Sequence, residues 1–228
     1  MRLLLTNDDG IDAPGLRALH RAAAPLGEPW VIAPSDAHSG CSHRVTTDEG
    51  LLVEKRAPGW VAVTGTPADC VRVALHGVAP GVDWVLAGIN AGGNLGADVW
   101  HSGTVAAVRE AALHGLPGVA LSHYRRKGFD FDWERAARWV GPLLRDLLAR
   151  ECQPGCFWNV NLPHLEPAAL DPEVVFCPLD REPLPLRFHE EEGRLRYSGD
   201  YHARKRMAGA DVDVCFSGKI AVTRLSLG

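Results

Sequence analysis

The sequence RLLLTNDDG, residues 2–10, changes within a few positions from an apolar run to an amide and two adjacent carboxylates. Residues 3–5 are long enough for one buried strand of an α/β sheet. Asp8 and Asp9 would then lie at the carboxyl end of that strand, where open α/β sheets bind their ligands. Two carboxylates this close repel each other unless a cation compensates them, which indicates a metal ion. The same residues are also typical of a plain strand-to-helix turn, and this stretch alone favours neither interpretation.

Length, composition and charge place the chain among globular proteins. Its 228 residues fit one large domain, or one domain with an appendage, and 46% hydrophobic residues suffice for a substantial core. A net charge of −4 shows no basic excess, so we expect no stable nucleic-acid partner. No stretch reaches the roughly 20 apolar residues of a membrane span, and Arg2 with three leucines does not form a signal peptide. We therefore expect a cytoplasmic protein without a membrane partner.

Apolar runs alternate with helical periodicity over the first 165 residues, which predicts βαβ units. Asp12 is the expected cap of the first helix, ahead of Pro14, and a hairpin is expected around Pro58 and Gly59. The predicted buried strands are residues 3–5, 30–33, 83–87, 119–121 and 157–161, of which we expect the last to end the main sheet. This pattern predicts an α/β fold with a mainly parallel sheet flanked by helices.

The last part of the chain, residues 166–228, predicts an extension to a core of residues 1–165. Residues 186–189 and 195–197 flank three glutamates and a glycine, which is typical of an exposed hairpin. Further strands are predicted at residues 174–176, 211–216 and 220–223. Because an isolated hairpin buries little surface, it needs a partner, either the core or another subunit.

Three polar segments follow predicted strands and should therefore meet at one edge of the sheet. They are Asp8 with Asp9, the loop of residues 35–47 that contains Ser39, and residues 90–104. Their side chains offer carboxylate, hydroxyl and amide oxygens. Such ligands suit Mg²⁺, Mn²⁺ or Ca²⁺ better than zinc or copper.

Ser102, Gly103 and Thr104 come directly before a predicted helix of residues 105–114. Backbone N–H groups at a helix N-terminus, with two hydroxyls and a flexible glycine, form an anion site. A phosphate held there, beside a metal on the two aspartates, describes hydrolysis of a phosphoester by metal-activated water. The more ordinary interpretation is that these hydroxyls only cap the helix.

Other motifs do not match. Residues 91–96 lack the first glycine of the dinucleotide fingerprint, and no P-loop lysine follows them. The six cysteines lack zinc or redox spacing, so we expect reduced, buried thiols. His38, His43 and His101 fall in predicted site loops, where histidines are by default solvated.

A series of short motifs in the first 122 residues, in order and with matching spacing, resembles the SurE family of stationary-phase survival proteins. The motifs are residues 7–10, 13–15, 33–34, 39–40, 65–67, 69–70, 88–90, 94–96 and 102–105. The resemblance implies a Rossmann-like α/β core and a metal-dependent 5′(3′)-nucleotidase. Such an enzyme hydrolyses nucleoside monophosphates to nucleosides and phosphate.

The resemblance also implies residue roles. The ligands of one divalent ion per subunit, Mg²⁺ or Mn²⁺, fall on Asp8, Asp9, Ser39 and Asn90. The substrate phosphate would be faced by Asn7, Gly40, Asn94, Ser102, Gly103 and Thr104. Family members form dimers and tetramers through an extended hairpin and swapped C-terminal segments, which would give the hairpin its partner.

Two departures limit what carries over from the family. His101 stands where the family usually has tyrosine, so no role is expected of that side chain. The chain ends at Gly228, whereas relatives often continue into a swapped helix, so a homodimer is favoured over a homotetramer.

The leading hypothesis is a nucleotidase in which Asp8 or Asp9 accepts a proton from the attacking water. A second hypothesis makes an aspartate the nucleophile, as in haloacid-dehalogenase-like phosphatases, although those separate their two aspartates by one residue. A third is a nucleotide-sensing or nucleotide-binding module whose metal only anchors phosphate. The sequence leaves open the base preference, the choice between Mg²⁺ and Mn²⁺, and activity on polyphosphate.

Overall fold

The computed structural model describes residues 1–126 and 128–228, and within them nine strands form one sheet. The strands of the protein are β1 (Arg2–Thr6), β2 (Glu28–Pro34), β3 (Val53–Ala57), β4 (Trp60–Val63), β5 (Trp84–Asn90), β6 (Gly118–His123), β7 (Cys156–Leu162), β8 (Val174–Phe176), β9 (Phe188–Glu191), β10 (Arg194–Tyr197) and β11 (Ile220–Ser226). Across the sheet they follow the order β3-β4-β2-β1-β5-β6-β7-β11-β8. The six from β4 to β7 in that order run parallel. The predicted α/β class with a mainly parallel sheet is confirmed.

Helices cover both faces of the sheet. They are α1 (Pro14–Ala23), α2 (Pro67–Val73), α3 (Gly103–Leu113), α4 (Trp133–Ala149) and α5 (Asp211–Phe216), with a π-helical turn at Ala74–Val78 and a 3₁₀ turn at Gly96–Trp100. Alternation along β1 divides the core, because Leu3 and Leu5 face α1 and α4 whereas Leu4 faces α2 and α3. All three leucines are fully buried, as expected of a strand covered on both faces. No helix among the described residues is long and apolar enough to cross a membrane.

Helix α2 begins with a capped N-terminus. Thr66 accepts a hydrogen bond from the backbone N–H of Asp69, and the Asp69 carboxylate accepts one from the N–H of Thr66, so the two residues form a capping box. The Asp69 carboxylate also accepts hydrogen bonds from the backbone and hydroxyl of Thr46. This cap therefore holds the far end of the loop that contains Ser39.

Helix α1 begins differently from the prediction. Ala13 stands at the N-cap position without a side-chain hydrogen bond, whereas Asp12 is exposed and pairs with Arg17 at 3.2 Å. Pro14 has no backbone N–H to satisfy at this end, so the helix needs less capping. The prediction that Asp12 caps α1 was wrong.

The C-terminal region returns to the main sheet, which corrects the prediction that residues 157–161 form its last strand. β11 pairs antiparallel with β7, and β8 pairs parallel with β11. β9 and β10 form the expected exposed hairpin, in a sheet of their own. The main sheet therefore contains strands from both ends of the chain.

Residues 211–216 form helix α5, not the predicted strand. Their alternation of polar and apolar residues imitates a strand over a length too short to distinguish the two. Asp211 is buried in the first turn, where its carboxylate accepts hydrogen bonds from the N–H groups of Gly96, Asp180 and Val212. These contacts, two of them distant in sequence, favour the helix, and a carboxylate also suits a helix N-terminus.

Candidate active site

The acidic corner, Asp8 with Asp9, lies at the carboxyl edge, which is the edge of the sheet where the parallel strands end. Directly after β1, the chain turns at Gly10, whose φ of +98° lies in the region that favours glycine. The side chain of Asn7 stabilises this turn by donating to the Gly10 carbonyl at 2.8 Å. The Asp8 carbonyl accepts a hydrogen bond from the backbone N–H of His38 at 2.7 Å. The loop with Ser39 is therefore attached to the acidic corner, as the sequence predicts.

Asp8 packs directly against the beginning of α3. Its carboxylate accepts a hydrogen bond from the Thr104 hydroxyl at 2.5 Å. A Cβ atom at position 103 would lie 2.9 Å from both the Asp8 Cβ and the Cys41 Sγ, so only glycine fits there without displacing them. Asp8 is only 5% exposed. The acidic corner and the start of α3 thus form one packed unit.

Asp9 connects the corner to the end of β5. Its carboxylate accepts a hydrogen bond from the backbone N–H of Ala91 at 3.0 Å. The adjacent Asn90 donates its side-chain N–H to the Gly92 carbonyl at 2.8 Å. Because that bond uses the amide nitrogen, the amide oxygen of Asn90 remains as an acceptor. The structure therefore brings together Asp8, Asp9, Asn90 and the loop with Ser39.

Burial makes the charged forms of both carboxylates unfavourable. It raises the pKa of Asp8 to about 6, and the neighbouring Asp9 charge adds to this increase, while the hydrogen bonds from Thr104 oppose it. Burial also raises the pKa of Asp9, against the lowering effect of the Ala91 N–H. Within the described part of the chain, neither carboxylate forms an ion pair with lysine, arginine or histidine. The corner therefore has negative charge that the described protein groups do not compensate.

The donor set at this corner fits a hard divalent cation. The buried amide oxygen of Asn7 has no hydrogen-bond partner, which adds an acceptor beside the two aspartates. Among the described residues, no group of three or more histidine, cysteine or acidic side chains could hold a metal. A metal at the corner would therefore need hydroxyl or amide ligands besides its two carboxylates, and Ser39 and Asn90 offer these. Such oxygen ligands suit Mg²⁺ or Mn²⁺.

Three residues expected at the substrate phosphate already have partners within the protein. Ser102 caps α3 by accepting from the Val105 N–H at 3.0 Å, which confirms the helix-cap interpretation for this residue. Thr104 donates to Asp8, and Asn94 donates its side-chain N–H to the Ser122 hydroxyl at 2.7 Å. Gly40, by contrast, is exposed, with φ of +71° and open space around it. The side chains of Ser102, Thr104 and Asn94 are therefore held in place by protein partners, and their contact with the substrate phosphate stays a prediction.

The glycine-rich loop of residues 91–96 is supported by two asparagines that were not among the predicted site residues. Asn159 and Asn161 both donate to the Asn94 carbonyl, at 2.9 and 3.0 Å, and Asn161 accepts from the Asn94 N–H at 2.8 Å. Both lie on the fully buried strand β7. Two amides at alternating positions of an apolar strand share one face, and that pattern could have indicated a polar partner there.

A second support, the Asp98 cluster, joins the segment before α3 to the C-terminal region. The Asp98 carboxylate accepts from the Tyr201 hydroxyl at 2.6 Å and from the Arg204 guanidinium at 3.0 Å. Arg204 also donates to the Leu95 carbonyl at 3.0 Å, and its side chain is fully buried. No spacing in the sequence indicates this cluster, because Asp98 lies more than 100 residues from both Tyr201 and Arg204.

A third support, also missed, attaches the loop with Ser39 to α3. Glu110 accepts from His43 at 2.8 Å and from His114 at 3.1 Å, and its side chain is 8% exposed. These hydrogen bonds lower the pKa of Glu110, that from His43 most. His43 is therefore held by a carboxylate, whereas a solvated histidine was expected there.

Comparisons with known proteins agree with the fold and the motifs. The sequence profile described as "Survival protein SurE" matches residues 3–182. A putative 5′-nucleotidase of Nostoc sp. is 52% identical over 99% of both chains, and the 5′-nucleotidase SurE of Myxococcus xanthus is 37% identical over 98% of this chain and 87% of its own. The crystal structure of the SurE protein from Aquifex aeolicus superposes with a TM-score of 0.87 at 30% identity, covering 100% of this chain and 94% of that one. The chain therefore belongs to the SurE family.

Proposed function

We propose that this protein is a 5′-nucleotidase, an enzyme that hydrolyses nucleoside 5′-monophosphates to nucleosides and phosphate, and that its reaction depends on a divalent metal. Family membership and relatives named 5′-nucleotidase support the enzyme class. The observation that carries the metal dependence is the acidic corner, with its adjacent, largely buried carboxylates and raised pKa values. Structural carboxylates in such surroundings normally have a cationic partner.

In this proposal the protein groups hold the metal and orient the substrate. Asp8, Asp9, Ser39 and Asn90 are the ligands. Gly40 has open space around it for the phosphate, whereas Gly103 allows Asp8 and Cys41 to pack against the start of α3. Thr104 and the Ala91 N–H fix the directions of the two carboxylates. When bound, the divalent ion would polarise phosphoryl oxygens and increase the acidity of water. Asp9, the more exposed of the two aspartates, is better placed to accept the proton of the attacking water at a carboxylate oxygen.

Replacing either aspartate by asparagine tests the site. We expect Asp8→Asn and Asp9→Asn to lower kcat/KM for AMP by at least about 10²–10³-fold, since each removes a charge that acts on the reacting phosphate. Asp12→Asn is the matched control, because this exposed aspartate lies on the same turn but outside the acidic corner. Activity near that of the wild type in both variants would contradict the assignment.

Phosphate release with and without metal tests the reaction class. We expect release from AMP with Mn²⁺ or Mg²⁺ and none after EDTA, and a panel of 5′- and 3′-monophosphates will show whether the expected 3′ activity accompanies it. Metal-dependent binding of AMP without release would instead indicate a nucleotide-binding module. Trapping of a phosphorylated aspartate with a slow substrate would indicate an aspartate nucleophile rather than direct attack by water.

We also propose that the β9–β10 hairpin joins subunits of a homo-oligomer. Apolar and aromatic side chains are exposed on and beside it, including Phe188 at 54%, Leu195 at 71% and Leu186 at 88%. Such side chains favour contact with another surface over contact with water. Sedimentation should show an oligomer for the wild type and a smaller species for the double variant Phe188→Ser, Leu195→Ser.

The expected cytoplasmic location stays a prediction, which cell fractionation can check.

A further inference from the structure

Four neighbouring parallel strands are followed by loops that lie at the carboxyl edge, beside the acidic corner. In the order of the sheet these are β1, β5, β6 and β7. Asp8 and Asp9 follow β1, Tyr124 follows β6 and His164 lies beyond β7. The antiparallel strand β11 begins at the same edge, so Phe216 at the end of α5 also lies there. One side of the acidic corner therefore continues into an aromatic region.

A cleft of about 600 Å³ occupies that region, and we name it the Tyr124 cleft. The side chains that line it include Tyr124, His164, His202, Phe216, Arg126 and Arg206. The rings of Tyr124 and Phe216 stack with centroids 4.7 Å apart, and the Tyr124 hydroxyl lies 2.6 Å from the Nδ1 atom of His202. The guanidinium of Arg206 lies 5.4 Å from the Phe216 ring centroid. The volume is typical of small-ligand pockets, and the lining offers flat π surfaces and guanidinium planes.

The cleft and the acidic corner are separated by about the length of a mononucleotide. β6, which leads to Tyr124, is two strand positions from β1, and neighbouring strands lie about 5 Å apart. Tyr124, at the near side of the cleft, therefore lies about 10 Å from the corner. A short segment connects them, because the Ala91 N–H binds Asp9 and a Cβ at Gly93 would lie 3.6 Å from Tyr124. Phosphate at Asp8 and Asp9 and a base at Tyr124 could thus belong to one ligand.

We propose that the Tyr124 cleft binds the nucleobase of the substrate while the acidic corner holds its phosphate, an inference that rests on the proposed function. Aromatic and guanidinium planes bind bases by stacking, and every base has a π face. Stacking therefore recognises that a base is present but discriminates little among bases. The cleft gives the enzyme a preference for nucleotides over simple phosphate esters, with a broad range of bases.

The test compares AMP with ribose 5-phosphate, which has the sugar and the phosphate but no base. We expect Tyr124→Ala to lower kcat/KM for AMP by about 5- to 150-fold, the loss of one stacked base, and to leave ribose 5-phosphate within about twofold. Tyr124→Phe keeps the ring and should retain wild-type values for both substrates. Phe176→Ala removes an exposed aromatic ring on β8, outside both the cleft and the hairpin; it is the control and should change kcat/KM for neither substrate.

The outcomes separate this inference from the proposed function. Equal losses for both substrates, or no loss for AMP, overturn the base subsite while leaving the nucleotidase intact. If the wild type hydrolyses neither ester, the proposed function fails. Equilibrium binding of adenosine to the wild type and to Tyr124→Ala then tests whether the cleft binds a nucleobase. Equal adenosine affinities would overturn it. If Tyr124→Ala does not fold, Arg206→Ala at the exposed rim replaces it, with a smaller loss expected for AMP alone.

Discussion

The acidic corner and the Asp98 cluster both place a poorly exposed carboxylate near the start of α3, but the two carboxylates have different partners. Asp98 accepts hydrogen bonds from the Tyr201 hydroxyl and pairs with the fully buried guanidinium of Arg204. Asp8 receives the Thr104 hydroxyl and has a second carboxylate as its neighbour. The first arrangement is internally compensated and the second is not. We propose that this difference distinguishes a structural site, whose charge is compensated, from a ligand site, whose charge is not.

Removing the cation of the compensated cluster should have the largest effect on stability. Arg204→Met leaves Asp98 without its guanidinium partner, and breaking such a buried pair costs about 3–5 kcal/mol of unfolding free energy. Chemical denaturation measures it, with the exposed neighbour Lys205→Met as control, expected within about 0.5 kcal/mol. A loss of unfolding free energy below about 1 kcal/mol for Arg204→Met would show that the Asp98 cluster is not a structural site.

Removing charge from the uncompensated corner should stabilise the metal-free protein. The folded Asp8 titrates near pH 6, above its ordinary pKa of 3.8, so the folded state binds the extra proton between these values. The unfolding free energy of the wild type therefore falls as pH rises from about 4 to 6, by on the order of 3 kcal/mol. Asp8→Asn should escape this loss and be more stable than wild type at pH 7 in EDTA. Equal stability of the two proteins across that pH range is the contrary result, and Asp12→Asn is the control.

Adding a divalent metal should stabilise the folded protein, because the ion compensates the charge of the acidic corner as Arg204 compensates that of Asp98. A divalent ion that binds only the folded protein adds about 2.7 kcal/mol of stability at a concentration 100 times its Kd. Thermal unfolding with and without Mn²⁺ should show this gain in the wild type and in Arg204→Lys, but not in Asp8→Asn or Asp9→Asn. An undiminished gain in both aspartate variants would place the metal elsewhere.

The smallest effect is expected at Glu110, a carboxylate of intermediate kind held by histidines. Glu110→Gln keeps a hydrogen-bonding group for His43 but removes the charge, and we expect a cost of about 1 kcal/mol. Because these hydrogen bonds lower the pKa of Glu110, the stability that they add is present at neutral pH and is lost as pH falls through that pKa. Glu134→Gln, at an exposed pair with Arg21, is the control and should cost less than about 0.5 kcal/mol. Equal losses of unfolding free energy for the two variants at pH 7 would show that the hydrogen bonds of Glu110 stabilise the protein no more than an exposed ion pair does.

Local patterns in the sequence predicted the fold and the convergence on the acidic corner. The buried strand at residues 3–5 and the turn at Gly10 follow from neighbours within a few positions. The meeting of Asp8 with the segment around Gly103 followed from topology, since parallel strands end at a common edge.

What the sequence did not predict depends on partners that are distant along the chain. Asp211 lies in a helix because it binds Gly96 and Asp180, and no pattern within residues 211–216 carries that information. Asn94 follows β5 along the chain, but the direction of its side chain and backbone is fixed by Ser122 and Asn161, and its contact with the phosphate stays a prediction. A polar residue in a loop is thus placed at the edge by topology, while its direction is set by contacts that only the folded chain supplies.

The position of β11 between β7 and β8 has a consequence for how the chain is made. β8 pairs with no other described strand, so it cannot join the sheet until β11 has been synthesised. During translation, the segment from β8 through the hairpin therefore stays outside the main sheet until β11 has emerged, and its exposed apolar side chains remain in contact with solvent.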